Sequence, residues 1–313
     1  MLQHCFASLA FIAGLVLLYY GADYLVKGGV GLACKLHISS LVIGLTLVAF
    51  GTSAPELVVS CHAALNNLGD ISIGNVVGSN ICNIALILGL CALITPLSVN
   101  PRLFRLDVPL LIGSALLAAI FHFFTQGINR WQSTIFLTGV IVYTSWSILK
   151  SRHCQEEESA APPPPRIWFS LLLTAAGLLA LIIGARLFTD SAVYFARRSG
   201  IPEAVIGLTL IAIGTSLPEL ATSVVAACKG EKDIAIGNVV GSNIFNILAI
   251  LGIAPLLRPL SAPGISIIDF ACMLFLSILL LPIMLTGRRI SRGEGAVLLG
   301  SYGTYLTYLI FTA

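Results

Sequence analysis

Two carboxylates stand where charge is least expected. Glu56 and Glu219 each lie inside a long apolar run, each closing a Gly-Thr-Ser-x-Pro-Glu hexad, Gly51–Glu56 and Gly214–Glu219. A charge at membrane depth is costly and is usually kept for a function. Pro55 and Pro218 lack an N–H and obstruct the carbonyl four residues back. Each helix should therefore bend or unwind there and release backbone oxygens, which are tolerated only if buried or lining a wet cavity. Thr52 and Ser53 precede Glu56 by four and three residues, so the three can share a helical face; Thr215, Ser216 and Glu219 repeat the spacing. The next apolar run carries Asn75, Ser79 and Asn83 at i, i+4 and i+8, matched later by Asn238, Ser242 and Asn246. Read alone, such an amide–hydroxyl–amide stripe is equally interhelical glue, as are the neighbouring Asn80 and Asn243. Together, the carboxylates, hydroxyls, amides and released carbonyls form an all-oxygen set suited to a hard cation. Ca²⁺ takes about six to eight oxygens at roughly 2.3–2.6 Å. Two Glu neutralise one Ca²⁺, and when it leaves the bare carboxylates repel, so Na⁺ or H⁺ must replace it. The bland alternative is a buried Glu pair sharing a proton.

The elements that must position these groups follow from composition. Of 313 residues, 57% are hydrophobic and 10% charged, with mean hydropathy +0.98. A soluble domain is typically about 25% charged. The 17 Lys/Arg and 14 Asp/Glu are too balanced for a nucleic-acid binder and too sparse for a disordered chain. Apolar runs long enough for a bilayer of about 30 Å predict an all-α polytopic membrane protein with ten spans. They fall near 5–22, 41–65, 72–94, 106–124, 132–149, 168–188, 204–228, 234–256, 266–286 and 295–312. No Lys or Arg precedes Lys27, so the first run reads as a span and not as a cleaved signal peptide. A Pro/Glu-rich stretch at 151–167 reads as a stiff exposed linker. The eight cysteines are scattered through apolar segments without metal spacing and read as small buried hydrophobes. His62 and His122 read as packing or interfacial residues. Asp107 and Asp269 read as structural residues at helix N-termini. Twelve of the Lys/Arg fall on one side of the alternating loops and five on the other. The richer side should be cytoplasmic, which places the 150–167 loop inside and both termini outside.

Residues 43–89 match 206–252 without a gap at an offset of 163, with 31 of 47 positions identical. The offset spans five helices, an odd number, so the halves must cross the membrane in opposite senses. That is the inverted repeat of many secondary transporters, whose site lies near the midplane. Two five-helix repeats are expected, residues 1–150 and 168–313.

The paired GTS(A/L)PE and GNVVGSNI(C/F)NI segments resemble the two α-repeats of the calcium/cation antiporter superfamily, which includes the sodium/calcium exchangers. The resemblance implies ten transmembrane helices as two inverted five-helix repeats, with the first and sixth spans sliding against the remaining core. It implies that Glu56 and Glu219, with the carbonyls of Thr52 and Thr215, bind Ca²⁺. Flanking Na⁺ sites would use Ala49, Ser53 and Ser79, and Ala212, Ser216 and Ser242; Asn83 and Asn246 would line the centre. Well-known members often carry Asp at one or both of these last positions. Two carboxylates where some relatives have three or more argue against a K⁺-dependent mode and leave Na⁺ and H⁺ as rival driving ions. The expected function is exchange of Ca²⁺ for Na⁺ across the cell membrane, without a cofactor, nucleic acid or obligatory protein partner. A Ca²⁺/H⁺ antiporter of the same fold is the first alternative and a passive cation channel the second. An intramembrane enzyme is disfavoured because the spans hold no paired catalytic Asp, Ser/His pair or HExxH.

Overall fold

The computed structural model describes residues 2–153, 166–200 and 212–312. Most of the expected linker, and the start of the expected span 204–228, lie outside the described residues. The chain forms α1 (Leu2–Leu36), α2 (Ser40–Thr52), α3 (Ala54–Leu65) and α4 (Gly69–Ile94). Strand β1 (Leu97–Ser98) leads to α5 (Leu103–Thr125), and β2 (Gly127–Ile128) to α6 (Arg130–His153). The second half has α7 (Ile167–Arg198), α8 (Ala212–Thr215), α9 (Leu217–Cys228) and α10 (Lys232–Leu257). It ends with β3 (Leu260–Ser261), α11 (Ile267–Leu285), β4 (Arg289–Ile290) and α12 (Arg292–Thr312).

Among the described residues, seven helices are long and apolar enough to cross a membrane, and the α2–α3 pair, bent by 45°, makes an eighth. Of the ten spans expected, two fall short of that measure. The described part of one is only the short helices α8 and α9, and glycines, threonines and the tyrosines 302, 305 and 308 lower the hydropathy of α12. Two helices outrun the spans expected at 5–22 and 168–188. α1 has 35 residues and α7 has 32, about 50 Å each at 1.5 Å per residue. Hydropathy ended those spans, but no proline follows to end the helices. Asp23, Lys27, Arg186 and Asp190, at or beyond the ends of the apolar runs, are therefore helical.

Burial sorts the helices into layers. The apolar window of α10 is 89% buried and that of α4 72%, against 28% for α7. α4 and α10, the carriers of the Asn/Ser stripes, form the centre. Apolar side chains such as Phe6, Ile12, Leu171, Leu172 and Phe124 cover the outside, the surface a hydrocarbon solvent requires.

α1 and α7 pack backbone to backbone. A Cβ built on Gly21 would meet the Gly177 carbonyl oxygen at 2.9 Å, and one on Gly177 would meet the Leu25 nitrogen at 2.6 Å. Gly14 faces Gly184 in the same way, seven residues along. Small residues at that spacing let membrane helices approach closely. Gly241 does the same at the centre, where a Cβ would lie 2.6 Å from the Leu45 carbonyl oxygen.

Matching interactions recur in the two halves well beyond the region of sequence identity. β1 pairs with β4, placing Leu97 opposite Ile290, and β2 pairs with β3, placing Leu260 opposite Ile128. Left-handed turn residues also match: His37 with Gly200, Asn67 with Gly230, and Gln126 with Arg288. Tyr143 donates to Asp107 at 3.0 Å and Tyr305 to Asp269 at 2.9 Å. The offset is 163 through the first strands and 162 from Asp107 onward, so a one-residue slip hides the likeness from an ungapped comparison.

Candidate functional site

The α2–α3 break is where Pro55 predicts it. Ser53 adopts φ −82°, ψ 5°, ending one helix and opening the next, and Pro55 sits in the first turn of α3. Proline is tolerated there because its missing N–H has no helical partner in the first turn. Ser216 repeats the geometry at φ −87°, ψ 6° between α8 and α9. Each break is followed within three residues by a carboxylate, so Glu56 and Glu219 fall in the first turns of α3 and α9.

Both carboxylates are fully buried. Helical spacing puts Ser53 with Glu56 and Ser216 with Glu219, but the structure crosses them. Ser53 Oγ donates to Glu219 Oε1 at 2.8 Å, and Ser216 Oγ to Glu56 Oε1 at 3.1 Å. The reason is the break: Ser53 and Ser216 are no longer helical, so each points across the interface to the opposite half. Thr52 also crosses, donating to Asn238 Oδ1 at 3.1 Å. Asn75 and Asn238 brace the carboxylate-bearing helices. Asn75 Nδ2 donates to the Glu56 carbonyl at 3.1 Å and to Ser60 Oγ at 3.0 Å. Asn238 Nδ2 donates to the Glu219 carbonyl at 3.3 Å and to Ser223 Oγ at 2.9 Å. Ser60 and Ser223 were not singled out by sequence, although both retain serine at the repeat offset.

The carboxylate helices and the Asn/Ser stripes also carry a set of buried polar atoms without a hydrogen-bond partner among the described residues. It comprises Glu56 Oε2, Glu219 Oε2, Ser242 Oγ and both amide atoms of Asn83 and of Asn246. Ser79 and Ala49 are buried nearby on α4 and α2, and Thr215 is half-buried. Ala212 opens α8, but its side chain lies outside the described residues. Unsatisfied buried oxygens are expensive, and two carboxylates more so. Among the described residues no three His, Cys, Asp or Glu side chains gather as a metal cluster. The donors therefore suit a hard cation held by mixed oxygens better than a transition metal held by His or Cys.

The other polar residues fall into structural places. Asn80 donates to Met273 Sδ at 3.7 Å and Asn243 to its own helix at Val239. Asp269 forms a capping box with Ser266 at the start of α11. Asp107 does not cap a helix; it is buried and paired with Arg102 at 3.3 Å. His122 is buried against Phe270, with ring centroids 4.9 Å apart, and His62 is exposed.

Residues 6–149 and 169–311 both match the family described as sodium/calcium exchanger protein. The chain belongs to that family. This sodium/calcium exchanger family member is 39% identical to the putative antiporter CaxA of Alkalimonas amylolytica, over 98% of this chain and 99% of that protein. It is 38% identical to the sodium/calcium exchanger MaX1 of Methanosarcina acetivorans, over 97% and 98% of the two chains. Its fold matches a solved structure of the sodium-calcium exchanger NCX_Mj, soaked with 10 mM Na⁺ and zero Ca²⁺, with a TM-score of 0.85 and 35% identity. That match covers 97% of this chain and 99% of NCX_Mj. The family and its structural neighbours are exchangers and not enzymes, so the fold of this exchanger family member is that of a multi-pass membrane antiporter.

The crossed serines give a direct prediction. Ser53→Ala removes a donor from a buried carboxylate, a charge-assisted bond worth about 1.5–3 kcal/mol. Thermal and denaturant unfolding of the purified protein should show a stability loss of that order. Ser216→Ala should do the same through Glu56. In double-mutant cycles Ser53→Ala should couple to Glu219→Gln and not to Glu56→Gln; coupling to Glu56→Gln instead contradicts the crossed arrangement.

Proposed function

We propose that the chain is a secondary antiporter exchanging Ca²⁺ for Na⁺ at the Glu56–Glu219 centre. One observation carries the reading: each carboxylate has one oxygen held by a serine of the opposite half while its second oxygen is unpartnered. Two negative charges with free oxygens match one divalent cation, and the orphaned amides and hydroxyl of Asn83, Asn246 and Ser242 supply further donors. Ca²⁺ and Na⁺ are cargo here, not resident cofactors. In this reading Glu56, Glu219 and the backbone at Thr52 and Thr215 bind Ca²⁺. Ala49, Ser53 and Ser79, with Ala212, Ser216 and Ser242, form the flanking Na⁺ positions.

The architecture that serves this function is ten spans in two inverted five-helix repeats, divided at the 151–167 linker. The matching turns, strands and Tyr–Asp bonds of the two halves support it. The Lys/Arg distribution supports a cytoplasmic linker with both termini outside a cell membrane. Alternating access follows from symmetry, because either half can be exposed while the other is closed. With no third carboxylate at Asn83 or Asn246, the low charge of the site also accommodates H⁺ as the coupling ion.

Purified protein in Ca²⁺-loaded proteoliposomes separates the readings. An imposed Na⁺ gradient should drive Ca²⁺ flux and a pH gradient alone should not. Flux driven by the pH gradient alone assigns H⁺ as the coupling ion. Flux indifferent to both gradients points to a channel and overturns the antiport mechanism for this chain.

A further inference from the structure

Asp23 is a buried carboxylate that the ion site does not use. It sits within α1 at 6% exposure, accepts from Lys27 Nζ at 2.9 Å one turn along, and pairs with Lys229. Lys229 caps the C-terminus of α9, the helix that carries Glu219 in its first turn. The ten residue steps from Glu219 to Lys229 span about 15 Å. The Asp23–Lys229 pair thus ties the closely packed α1–α7 unit to a site helix, at the end of that helix away from the carboxylate.

The equivalent positions of the other half are built differently. At the 163 offset Asp23 becomes Arg186, Lys27 becomes Asp190, and Lys229 corresponds to Asn66. The charges on the long helix are exchanged in sign and the core cation is gone. No ion pair joins Arg186 or Asp190 to α3 among the described residues. Instead they line a cavity of about 280 Å³ whose walls include Ala54, Pro55, Gly214 and Thr215, the helix breaks of the ion site. Exposure follows the same asymmetry. Val59 on α3 is 36% exposed, while its counterpart Thr222 on α9 is fully buried. One face is tied by an ion pair and closed; the other lacks the pair and holds a cavity reaching the site.

We propose that the Asp23–Lys229 pair is an ionic latch on the Lys229 face of the ion site. It must release before the site can turn to that face. Because the opposite face has no such pair, the latch biases the unloaded protein toward the cavity side. The proposal rests on the alternating-access reading above. It makes the two faces unequal in free energy where a perfect inverted repeat would make them equal, and any ligand can only shift that preference by its differential affinity.

The test uses the full chain with its native cysteines replaced, purified into nanodiscs, and a bulky charged maleimide as probe. Thr222→Cys reports the latched face and Val59→Cys the cavity face. Asp23→Asn and Lys229→Gln should each speed labelling at position 222 about tenfold and slow labelling at position 59. Lys27→Gln, which leaves the Asp23–Lys229 pair in place, should change neither rate. The opposed change at the two reporters distinguishes release of a latch from general loosening. Unchanged rates in both latch variants, or rates that rise at both positions, overturn the proposal. Labelling requires no transport, so its failure with gradient-driven exchange intact condemns the latch alone. Loss of gradient-driven exchange in the proteoliposomes bears on the exchange reading instead.

Discussion

Glu56→Gln and Glu219→Gln should each abolish Ca²⁺ exchange while leaving the protein folded. Each replacement keeps the side chain's shape and one carbonyl oxygen. It removes a negative charge and turns N–H donors toward the cation. A buried charge that loses its partner costs about 3–5 kcal/mol, so Ca²⁺ affinity should fall by at least a hundredfold. Stability should move the other way. Glu56 Oε2 and Glu219 Oε2 have no hydrogen-bond partner among the described residues, so removing the charge removes a desolvation cost from the cation-free protein. Isotope flux and thermal melting, read together, should show lost transport with an unchanged or raised melting temperature. Normal transport by either variant would remove that carboxylate from the ion site.

Gly177→Val should be severely damaging although it lies away from the site. Its Cβ would lie 2.6 Å from the Leu25 nitrogen and 2.7 Å from the Gly21 carbonyl oxygen. These are backbone atoms of α1, which cannot swing aside as a side chain would. Relief requires α1 and α7 to separate, and the same contact recurs at Gly14 and Gly184 along the interface. Overpacking costs about 1–3 kcal/mol in a yielding core, and two rigid backbones should place this case at the upper end or beyond. Melting temperature should drop by several degrees and exchange should be lost. Gly113→Val on α5, where a Cβ meets nothing within 4 Å, should leave both nearly intact. Equal effects of the two would show that the close approach is not needed.

The residues of the centre were legible because membrane depth makes polar groups rare and the repeat marks them twice. Glu56, Glu219 and the Asn/Ser stripes, together with the proline breaks, lie where those signals put them. The partner of each carboxylate was not legible. Helical spacing places Ser53 beside Glu56, but the break at Ser53 ends the periodicity on which that inference depends. Hydropathy also misjudged α1 and α7. It reports the thickness of the hydrocarbon and not where a helix stops, so Asp23 and its Lys229 partner were hidden as loop charges. The strand pairs escaped for another reason: two-residue strands carry almost no sequence pattern, and the one-residue slip in offset falls between the first and second strand of each half.

The crossed serines also fix the order of events when the protein is made. Glu56 takes its hydroxyl donor from Ser216, 160 residues further along the chain. At about 5–20 residues per second, a ribosome reaches Ser216 roughly ten to thirty seconds after Glu56. Thr52 waits for Asn238, β1 for β4, and α1 for the glycine face of α7. The first half therefore enters the bilayer with its costliest residue unattended, and a nascent chain stalled midway lacks the Ser216 hydroxyl altogether. The centre of the exchanger is finished only when its second half arrives.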